Sequence, residues 1–245
     1  MVTAKEWIGA ATDLLYPRNC QLCCQSLSPQ ERGVICAACL ELVPWIKPPF
    51  CSRCGLPFSG ALDGAFECGY CRELELHFSR GVAACLARGV VLHAIHEFKY
   101  HRKLYFGPHL AEWIVTAARE YVPWNAVDVV VPVPLHPRKK RERGFNQAEY
   151  LAEKVGEAFG VPVMKRGLRR LRDTPTQTRL DREQRVKNLE GAFDAPDKTL
   201  WKGRHVLLVD DVFTTGATLD ACARVLRRAG AADVCVLTVA RAAFV

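Results

Sequence analysis

Hydrophobic and polar positions change their spacing near residue 78 of this chain. The sequence before that point is rich in Cys, Pro and Gly and has little periodicity. After it, strand-like and helix-like segments alternate, which predicts an α/β domain with a mostly parallel central sheet flanked by helices. We therefore expect a small N-terminal domain at residues 1–78 and an α/β domain at residues 79–245.

The same periodicity assigns the elements of the chain. Short apolar runs bounded by turn residues predict strands, and apolar residues recurring every three to four positions predict helices. The predicted strands are 81–88, 126–135, 205–210 and 233–241. The predicted helices are 91–100, 110–121, 145–160 (which Gly160 ends) and 216–230. An N-terminal amphipathic helix is also predicted, with Trp7, Ile8, Ala11, Leu14 and Leu15 on one face.

A charged segment at residues 172–191 has only weak periodicity and resists assignment. A short helix at about 180–187 is the one regular element that its pattern allows. The segment is either a solvated surface connection or an active-site lid, because long irregular loops in compact domains are often functional. The sequence pattern alone leaves both interpretations open.

Composition and charge narrow the class of protein. The 245 residues are 49 % hydrophobic, which is enough for one well-buried domain with a small accessory domain. A net charge of +8 favours acidic partners such as phosphates or nucleic acid. The N-terminus lacks the layout of a secretory signal, and no apolar run is long enough to span a membrane. We therefore expect a cytoplasmic protein whose 12 cysteines are not joined in disulfides.

Eight of the cysteines form four CxxC pairs before residue 72. Two such pairs can direct four sulfur atoms at one ion, which is the usual geometry of a closed structural zinc site. The simplest pairing is sequential, but an interleaved pairing, or Cys24 in place of Cys23, stays open. The sequential sets are Cys20, Cys23, Cys36 and Cys39, and Cys51, Cys54, Cys68 and Cys71.

The CxxC pairs therefore predict one or two structural zinc ions. Redox chemistry is the weaker alternative, because redox CxxC motifs normally open a helix after a strand. Gly55, directly after Cys54, would let the backbone fold around an ion. The later Cys85, Cys222 and Cys235 lie in apolar periodic segments and are expected to be small core residues.

Two adjacent carboxylates, Asp210 and Asp211, end the predicted strand at 205–210. Ligands of open α/β sheets bind at this carboxyl edge. Because neighbouring carboxylates repel each other, a cation or a set of hydroxyl donors must offset the repulsion, and vicinal ribose hydroxyls suit that role. The threonines and Gly216 that follow begin the next predicted helix, whose unpaired N–H groups favour an anion. The pattern predicts a site for a ribose 5-phosphate.

Two other classes of protein share an apolar strand that ends in Asp-Asp. Response-regulator receivers carry it near the start of the domain, but only 34 residues follow Asp211 here. Nucleoside triphosphatases with a Walker-B strand need an upstream GxxxxGK[ST] motif, and this chain has none. Both classes are therefore disfavoured.

A family resemblance extends over nearly the whole chain. Besides the cysteine pairs and VAR (239–241), it is carried by FKYHRKL (98–104), VPVPLHPRKKRERGFNQA (131–148), TPTQTRLDREQRVKNLEGAF (174–193) and VLLVDDVFTTGAT (206–218). The last block resembles the phosphoribosyl pyrophosphate (PRPP) signature of type I phosphoribosyltransferases. More specifically, the chain resembles the competence protein ComF family, which includes the gluconate-utilisation protein GntX. The resemblance implies a type I phosphoribosyltransferase fold behind a zinc-ribbon domain.

The resemblance also implies roles for individual residues. Asp210 and Asp211 would hold the ribose 2- and 3-hydroxyls, and magnesium would accompany PRPP. A strained non-proline cis peptide is expected at Leu135–His136, and a flexible lid at 174–180. The 5-phosphate would lie at Thr214, Thr215, Gly216, Ala217 and Thr218. The expected pyrophosphate loop holds Pro134, Leu135, His136, Arg138 and Lys139, and further candidate ligands are Lys99, Gln177 and Arg185.

Basic and aromatic residues near these blocks have two interpretations. Residues 138–143 contain five basic residues among six, which suits either pyrophosphate or the backbone of a nucleic acid. Phe98, Tyr100 and Tyr105 lie among basic residues, where they either stack on bases or pack in the core.

Two functional hypotheses follow. In the first, the protein binds PRPP and transfers its phosphoribosyl group with release of pyrophosphate, to an acceptor that the sequence does not identify. In the second, it is a non-catalytic single-stranded nucleic-acid-binding protein regulated by PRPP. The family resemblance implies a role in natural competence and DNA uptake, with single-stranded DNA and other competence proteins as partners.

Overall fold

A four-stranded parallel sheet forms the centre of the computed structural model, which describes residues 18–60, 64–173 and 189–243. In chain order the strands are β1 (Arg80–Leu86), β2 (Val129–Pro132), β3 (Arg169–Arg170), β4 (Phe193–Asp194), β5 (His205–Phe213) and β6 (Asp233–Arg241). The sheet has the order β1-β6-β5-β2, and each neighbouring pair is parallel. β3 and β4 form a separate antiparallel pair.

Seven α-helices accompany these strands in the described part of the chain. They are α1 (Ala37–Glu41), α2 (Gly69–Arg72), α3 (Gly89–Tyr100), α4 (Gly107–Tyr121), α5 (Pro137–Arg143), α6 (Gln147–Phe159) and α7 (Ala217–Arg228). Short 3₁₀ segments lie at Leu104–Phe106, Trp124–Ala126 and Lys198–Leu200. No helix among the described residues has the length and hydropathy needed to cross a bilayer.

The parallel sheet confirms the predicted α/β architecture, and within the described residues each predicted strand and helix of the second domain has a counterpart. The strand predicted at 126–135 is shorter: a 3₁₀ segment occupies Trp124–Ala126 before it, and its last ladder bond to β5 runs from the N–H of Val133 to the carbonyl of Val209. β5 is longer than predicted, because Val212 and Phe213 remain paired with β6. The prediction that Asp210 and Asp211 end the strand is therefore wrong by two residues.

Helix α5 was not predicted, since its sequence is almost wholly charged. Pro137 occupies its first turn and Gly144 follows its last residue with a φ of +87°, which are the usual start and stop residues of a helix. The N-terminal helix with Trp7 and the short helix at 180–187 lie outside the described residues.

Successive residues of β5 alternate between two hydrophobic clusters, one on each face of the sheet. Leu207 and Val209 belong to the cluster that includes residues of α3, α4 and α6. Val206 and Leu208 belong to the cluster that includes residues of α7. The α/β domain therefore has three layers, with the sheet buried on both faces, as parallel sheets require.

The N-terminal cysteine modules attach to both faces of the sheet at its β1 edge. Cys20, Cys36 and Cys39 join the cluster on the α4 and α6 face, whereas Cys51, Cys54 and Cys71 join the cluster on the α7 face. The segment between the modules runs antiparallel along β1. In it Ile46 donates its N–H to the carbonyl of Ala84 at 2.9 Å. The edge strand is thereby covered.

Each module has its own anchor on the α/β domain. In the first, the N–H of Val34 donates to Nε2 of buried His109 at 3.4 Å, and burial lowers the pKa of His109, which favours the neutral acceptor form. In the second, the backbone at Cys54 packs directly on Gly81 of β1. A Cβ at Gly81 would lie 2.7 Å from the carbonyl oxygen of Arg53. The predicted domain division at residue 78 falls between α2 and β1 and stays a prediction.

Candidate functional site

The eight CxxC cysteines come together in two groups of four. Within each group the four sulfur atoms lie within 4.8 Å of one another. The first group holds Cys20, Cys23, Cys36 and Cys39, and the second holds Cys51, Cys54, Cys68 and Cys71. The sequential pairing is therefore confirmed, and the interleaved alternative is wrong.

The two groups are built by the same local turns. In the first, the N–H of Cys36 donates to Sγ of Cys20 at 3.4 Å, and in the second the N–H of Cys68 donates to Sγ of Cys51 at 3.3 Å. Cys36 and Cys68 each lie directly before a short helix, α1 or α2. Such N–H donors stabilise thiolates, so both turns are shaped for a bound cation.

Cys24 is not a ligand in this arrangement, because it occupies a turn position. Its φ is +63°, and Gly55 has the matching place in the second module with a φ of +68°. Both residues donate a backbone N–H to the carbonyl of the first cysteine of their module at 2.8 Å. Cys24 is therefore the counterpart of a turn glycine, and its exposed side chain lies outside the group of four.

Four convergent thiolates with no open position fit a structural zinc ion in each group. The later cysteines do not join them. Cys85 and Cys222 are fully buried in the α/β domain, and burial raises the pKa of Cys85 to about 12. They are core residues as predicted, whereas Cys235 is only partly buried.

A cavity of about 430 Å³ lies on the α/β domain at the carboxyl ends of the strands. Asp210 and Asp211 of β5 line it, together with Thr214 and Thr218 of the loop and helix that follow. Helices α3, α5 and α6 and strand β3 supply the remaining polar walls, with Lys99, Lys139, Arg143, Asn146, Gln147 and Arg170. Cations and carboxylates thus face one another across a single cavity.

The repulsion between the two carboxylates is offset by Lys99. Its Nζ lies 2.7 Å from Oδ2 of Asp211, which is only 4 % exposed. Burial lowers the pKa of Lys99, but the charges of Asp211 and Asp210 raise it more, so that it lies above its ordinary value. The cation that offsets the repulsion is therefore a side chain of the protein, Lys99, which lies at this site.

Asp210 has a different environment. Its Oδ1 accepts the N–H of Asp211 at 2.9 Å. Burial and the adjacent charge of Asp211 raise its pKa to about 7, while Lys99 and Arg170 oppose that rise. Asp210 therefore changes its charge near neutral pH.

The loop between β5 and α7 has the geometry expected of an anion site. Gly216 precedes the helix with a φ of +79°, and a Cβ there would lie 2.8 Å from the ring of Phe213. Only glycine fits this position. The first intrahelical bond runs from the N–H of Asp220 to the carbonyl of Gly216 at 2.8 Å, so the helix offers the earlier N–H groups of Ala217, Thr218 and Leu219 no carbonyl.

A second positive region lies opposite this loop, on α5 and β3. Burial lowers the pKa of Lys139, and the neighbouring charge of Arg170 lowers it further, although Asp173 opposes this. Burial also lowers the pKa of Arg170. Closely spaced, partly buried cations of this kind favour an anionic ligand.

Only part of the predicted pyrophosphate loop lines the cavity. Leu135 and Lys139 do, whereas Arg138 points away and donates to Oε1 of Glu142 at 2.9 Å. The cis peptide expected at Leu135–His136 is wrong, since the cis bond found in the described residues is Pro48–Pro49. A trans bond leaves His136 extended, and its ring caps α5 by accepting the N–H of Arg138. Pro134 lies beside this turn, outside the cavity lining.

Three polar residues of the cavity wall, Asn146, Gln147 and Arg170, were not predicted as site residues. Gln147 is 2 % exposed, and its Oε1 accepts from Arg143 at 2.7 Å. Asn146 caps α6 by accepting the N–H of Ala148 at 3.1 Å, a role that its position before a helix could have indicated. Arg170 lies on β3, just before the predicted lid. The lid candidates Gln177 and Arg185, with the segment 174–180, lie outside the described residues.

Comparisons with known proteins match both parts of the chain. A double zinc ribbon domain matches residues 11–75, and a phosphoribosyl transferase domain matches residues 143–243. DNA utilization protein YhgH of Salmonella typhimurium is 32 % identical over 93 % of this chain and 99 % of that protein. Competence protein F of Haemophilus influenzae is 29 % identical over 91 % and 97 %. Competence protein ComFC of Bacillus subtilis is 27 % identical over 88 % and 86 %.

These matches confirm the fold predicted from the sequence. The α/β domain has the type I phosphoribosyltransferase fold, and the N-terminal domain is a double zinc ribbon with two four-cysteine clusters.

The geometry of the first cluster predicts how zinc content responds to two neighbouring substitutions. Cys23→Ser removes a ligand and should lower the zinc content from about two ions per chain to about one. Cys24→Ser removes a turn residue and should leave about two ions. Elemental analysis of the purified variants measures both. Equal zinc contents in the two variants would contradict the assignment of Cys23 as the ligand.

Proposed function

We propose, because this chain belongs to the competence protein F (ComF) family, that the cavity at the carboxyl edge of its sheet binds PRPP. The single observation on which the proposal rests is that carboxylates and cations line the same cavity. PRPP needs both, since its ribose presents vicinal hydroxyls between two anionic groups. The family relatives are named for competence and DNA utilization, so we place the ligand in a protein that handles DNA.

The ribose would lie at Asp210 and Asp211. Ionised carboxylates only accept hydrogen bonds, so two adjacent ones match two adjacent hydroxyl donors. Lys99 now neutralises Asp211 at 2.7 Å, and it would remain beside the bound sugar as a fixed positive charge. Carboxylate oxygens also suit magnesium, which prefers oxygen ligands and accompanies phosphates.

The two anionic ends of PRPP would lie on opposite sides of the ribose. The 5-phosphate would bind to the loop from Thr214 to Thr218, which contains the first N–H groups of the helix and the threonine hydroxyls. The pyrophosphate would lie on the side of Lys139 and Arg170, where burial and then the charge of Arg170 lower the pKa of Lys139. An anion between these cations would relieve their mutual repulsion.

The reaction that this arrangement supports is displacement at C1 of the ribose. The bond from C1 to the pyrophosphate oxygen breaks with its electron pair on pyrophosphate, while a nucleophile forms a bond to C1 and loses its proton to solvent. Magnesium, when bound, neutralises charge on the departing pyrophosphate. The chain itself contributes positioning and fixed charges, with Asp210 and Asp211 stabilising positive charge that develops on the ribose.

Asp210→Asn combined with Asp211→Asn tests the proposal. Both substitutions keep the size of the side chain but remove the charge that accepts the hydroxyls, so affinity for PRPP with magnesium should fall at least about 100-fold. Isothermal titration calorimetry measures the affinity. Asp128→Asn is the matched control, because Asp128 lies before β2 at the opposite edge of the sheet. Undiminished binding by the double variant would refute the proposal.

The affinity for PRPP should also depend on pH through Asp210. Its pKa is raised to about 7 by burial and by Asp211, so the group is protonated below that pH and ionised above it. Because the ionised form accepts the hydroxyls, affinity should rise about ten-fold from about pH 6 to about pH 8. The groups that interact with Asp210 are Asp211, Lys99, Arg170 and the thiol of Cys222 on α7. Lys99 and Arg170 keep their charge across this range, and burial raises the pKa of the Cys222 thiol, so that it stays neutral.

The phosphates of PRPP titrate near the same pH, so the comparison must be made against Asp210→Asn. That variant retains the ligand's own titration but lacks the carboxylate. A pH profile of equal steepness in Asp210→Asn and the wild type would show that Asp210 does not titrate in the binding equilibrium.

We propose single-stranded DNA as a second ligand, at the rim of the cavity and on the adjoining surface of α5. Tyr100 lines the cavity but is 51 % exposed, and the guanidinium of Arg143 lies 5.3 Å from its ring, which forms a platform for a base. The exposed Arg138 and Lys140 of α5 would contact phosphates. By contrast, Phe98 is 1 % exposed and belongs to the core. Other competence proteins are proposed partners on family grounds alone.

Replacing Arg138, Lys139 and Lys140 by Ala tests this second ligand. Loss of the phosphate contacts of Arg138 and Lys140, and of the neighbouring charge of Lys139, should weaken binding of a single-stranded oligonucleotide and reduce the slope of log K against log salt by about one to two. Lys198, Lys202 and Arg228 replaced by Ala form the matched control, since they remove equal charge at the far edge of the sheet. Fluorescence anisotropy over a salt series measures both. Equal slopes in the two triple variants would exclude α5 as the DNA contact.

A further inference from the structure

The second zinc ribbon touches the loop that the proposed function assigns to the 5-phosphate. Tyr70 lies between the ligands Cys68 and Cys71, and its hydroxyl donates to the carbonyl of Thr215 at 3.0 Å. A residue of the metal-binding turn thus holds the backbone of the loop directly. Thr215 precedes Gly216, whose left-handed conformation sets the direction of the helix N–H groups.

Arg241, the last residue of β6, forms a second connection between the same two parts. Its side chain is fully buried. On one side its Nε donates to the carbonyl of Cys54 at 3.1 Å, and its Nη2 lies 3.8 Å from Sγ of Cys54. On the other side its Nη1 donates to the carbonyl of Thr214 at 2.8 Å. The guanidinium therefore bridges a zinc ligand and the loop.

The charge of Arg241 suits its place beside the second cluster. A buried guanidinium must be paired, because an uncompensated buried charge strongly destabilises a protein. A zinc ion held by four thiolates would carry net negative charge, and Cys54 would present that charge to Arg241. The guanidinium therefore links the metal site to the backbone of the loop.

A third contact ties the segment after the second ribbon to α7. The N–H of His77 donates to Oδ1 of Asp220 at 2.6 Å, and its ring Nδ1 lies 3.1 Å from Oδ2. Asp220 is in the first turn of α7, where a carboxylate favours the helix. Loop and helix start are therefore both held from the side of the second ribbon.

The first ribbon has different neighbours within the described residues. Its contacts with the α/β domain run to the start of α4, through His109, and to Tyr105, whose hydroxyl donates to Oε1 of Gln21 at 3.0 Å. Each tyrosine therefore donates one hydrogen bond between a ribbon and the α/β domain, but of the two only Tyr70 reaches the loop.

We propose that the second zinc cluster positions the phosphate loop through Tyr70 and Arg241, so that PRPP affinity and the state of this cluster are coupled. The inference rests on the proposed function for the identity of the ligand, but the coupling itself concerns only the loop and the cluster. Tyr70 and Arg241 are positioning residues, since they contact the backbone of the loop and not its ligand face. The described contacts of the first ribbon do not include this loop, so we expect no such coupling for the first cluster.

Tyr70→Phe compared with Tyr105→Phe tests the coupling in the full zinc-loaded chain. Each substitution removes one hydroxyl and leaves the ring in place. Tyr70→Phe should weaken PRPP binding with magnesium about five-fold, the effect of one hydrogen bond, while zinc content stays as in the wild type. Tyr105→Phe should bind PRPP as the wild type does. Equal affinities in the two variants would overturn the inference.

Hydrogen–deuterium exchange separates this inference from the proposed function. In the absence of any ligand, the amides of residues 214–218 should exchange faster in Tyr70→Phe than in the wild type. In Tyr105→Phe the exchange rates of these amides should equal those of the wild type. If the wild type fails to bind PRPP, the proposed function fails, yet this exchange still decides the coupling. Equal exchange of these amides in both variants would show that Tyr70 does not hold the loop.

Cobalt substitution measures the coupling in the opposite direction, since coupling between two sites is reciprocal. In protein loaded with Co²⁺, binding of PRPP should shift the thiolate-to-cobalt absorption, because Arg241 links the loop to Sγ of Cys54. Calorimetry on the same sample establishes that PRPP is bound. An unchanged spectrum in a sample that binds PRPP would contradict the coupling.

Discussion

Mutual repulsion between the carboxylates of Asp210 and Asp211 is the constraint around which the cavity is organised. Consecutive strand residues point to opposite faces, so the two groups meet different layers of the domain. Asp211 reaches Lys99 of α3 at 2.7 Å, while Asp210 lies within the field of Arg170 on β3. Each carboxylate thus depends on a cation from another element. The site therefore forms only when helices on one face and the β3–β4 pair on the other are both in place.

The zinc ribbons solve a second physical problem, which is how to close the β1 edge with a domain that has little core of its own. Helices α1 and α2 span five and four residues, too short to be stable alone. Metal binding supplies the missing folding energy. Each module then adds its buried cysteines to the hydrophobic cluster on one face of the sheet, and the segment between them pairs with β1. The N-terminal domain is consequently part of the packing of the α/β domain.

Local sequence signals predicted most of this architecture, and non-local contacts account for the rest. The strands, the long helices and the eight ligands follow from periodicity and spacing, which are properties of neighbouring residues. The end of β5 could not be predicted, because Val212 and Phe213 are held by residues of β6. The sequence pattern did not predict helix α5, because its residues are almost all charged and form no apolar stripe. The turn position of Cys24 became visible only beside Gly55, because the spacing of cysteines carries no information on φ.

The contacts of Arg170, Gln147 and Arg241 depend even less on local sequence pattern. Arg241 meets Cys54 across 187 positions of sequence, and no periodicity of either segment indicates that contact. In the sequence, Arg241 stands out only as the last residue of the block VAR (239–241). The burial of Arg241 indicates its structural role, since a buried guanidinium must have partners. The functional motif at 206–218 therefore predicted a ligand, whereas the support of that motif had to be found in three dimensions.

Helix α5 shows how two proposed ligands could be held on one small surface. Lys139 lines the cavity, while the side chains of Arg138 and Lys140 are 68 % and 50 % exposed. One face of the helix thus serves the anion in the cavity and another faces solvent. Because Arg143 contacts both Gln147 in the cavity wall and the ring of Tyr100, a ligand on either side changes the charge that the other meets. PRPP and a nucleic acid would consequently influence each other through α5, and both would meet Arg143, which lines the cavity.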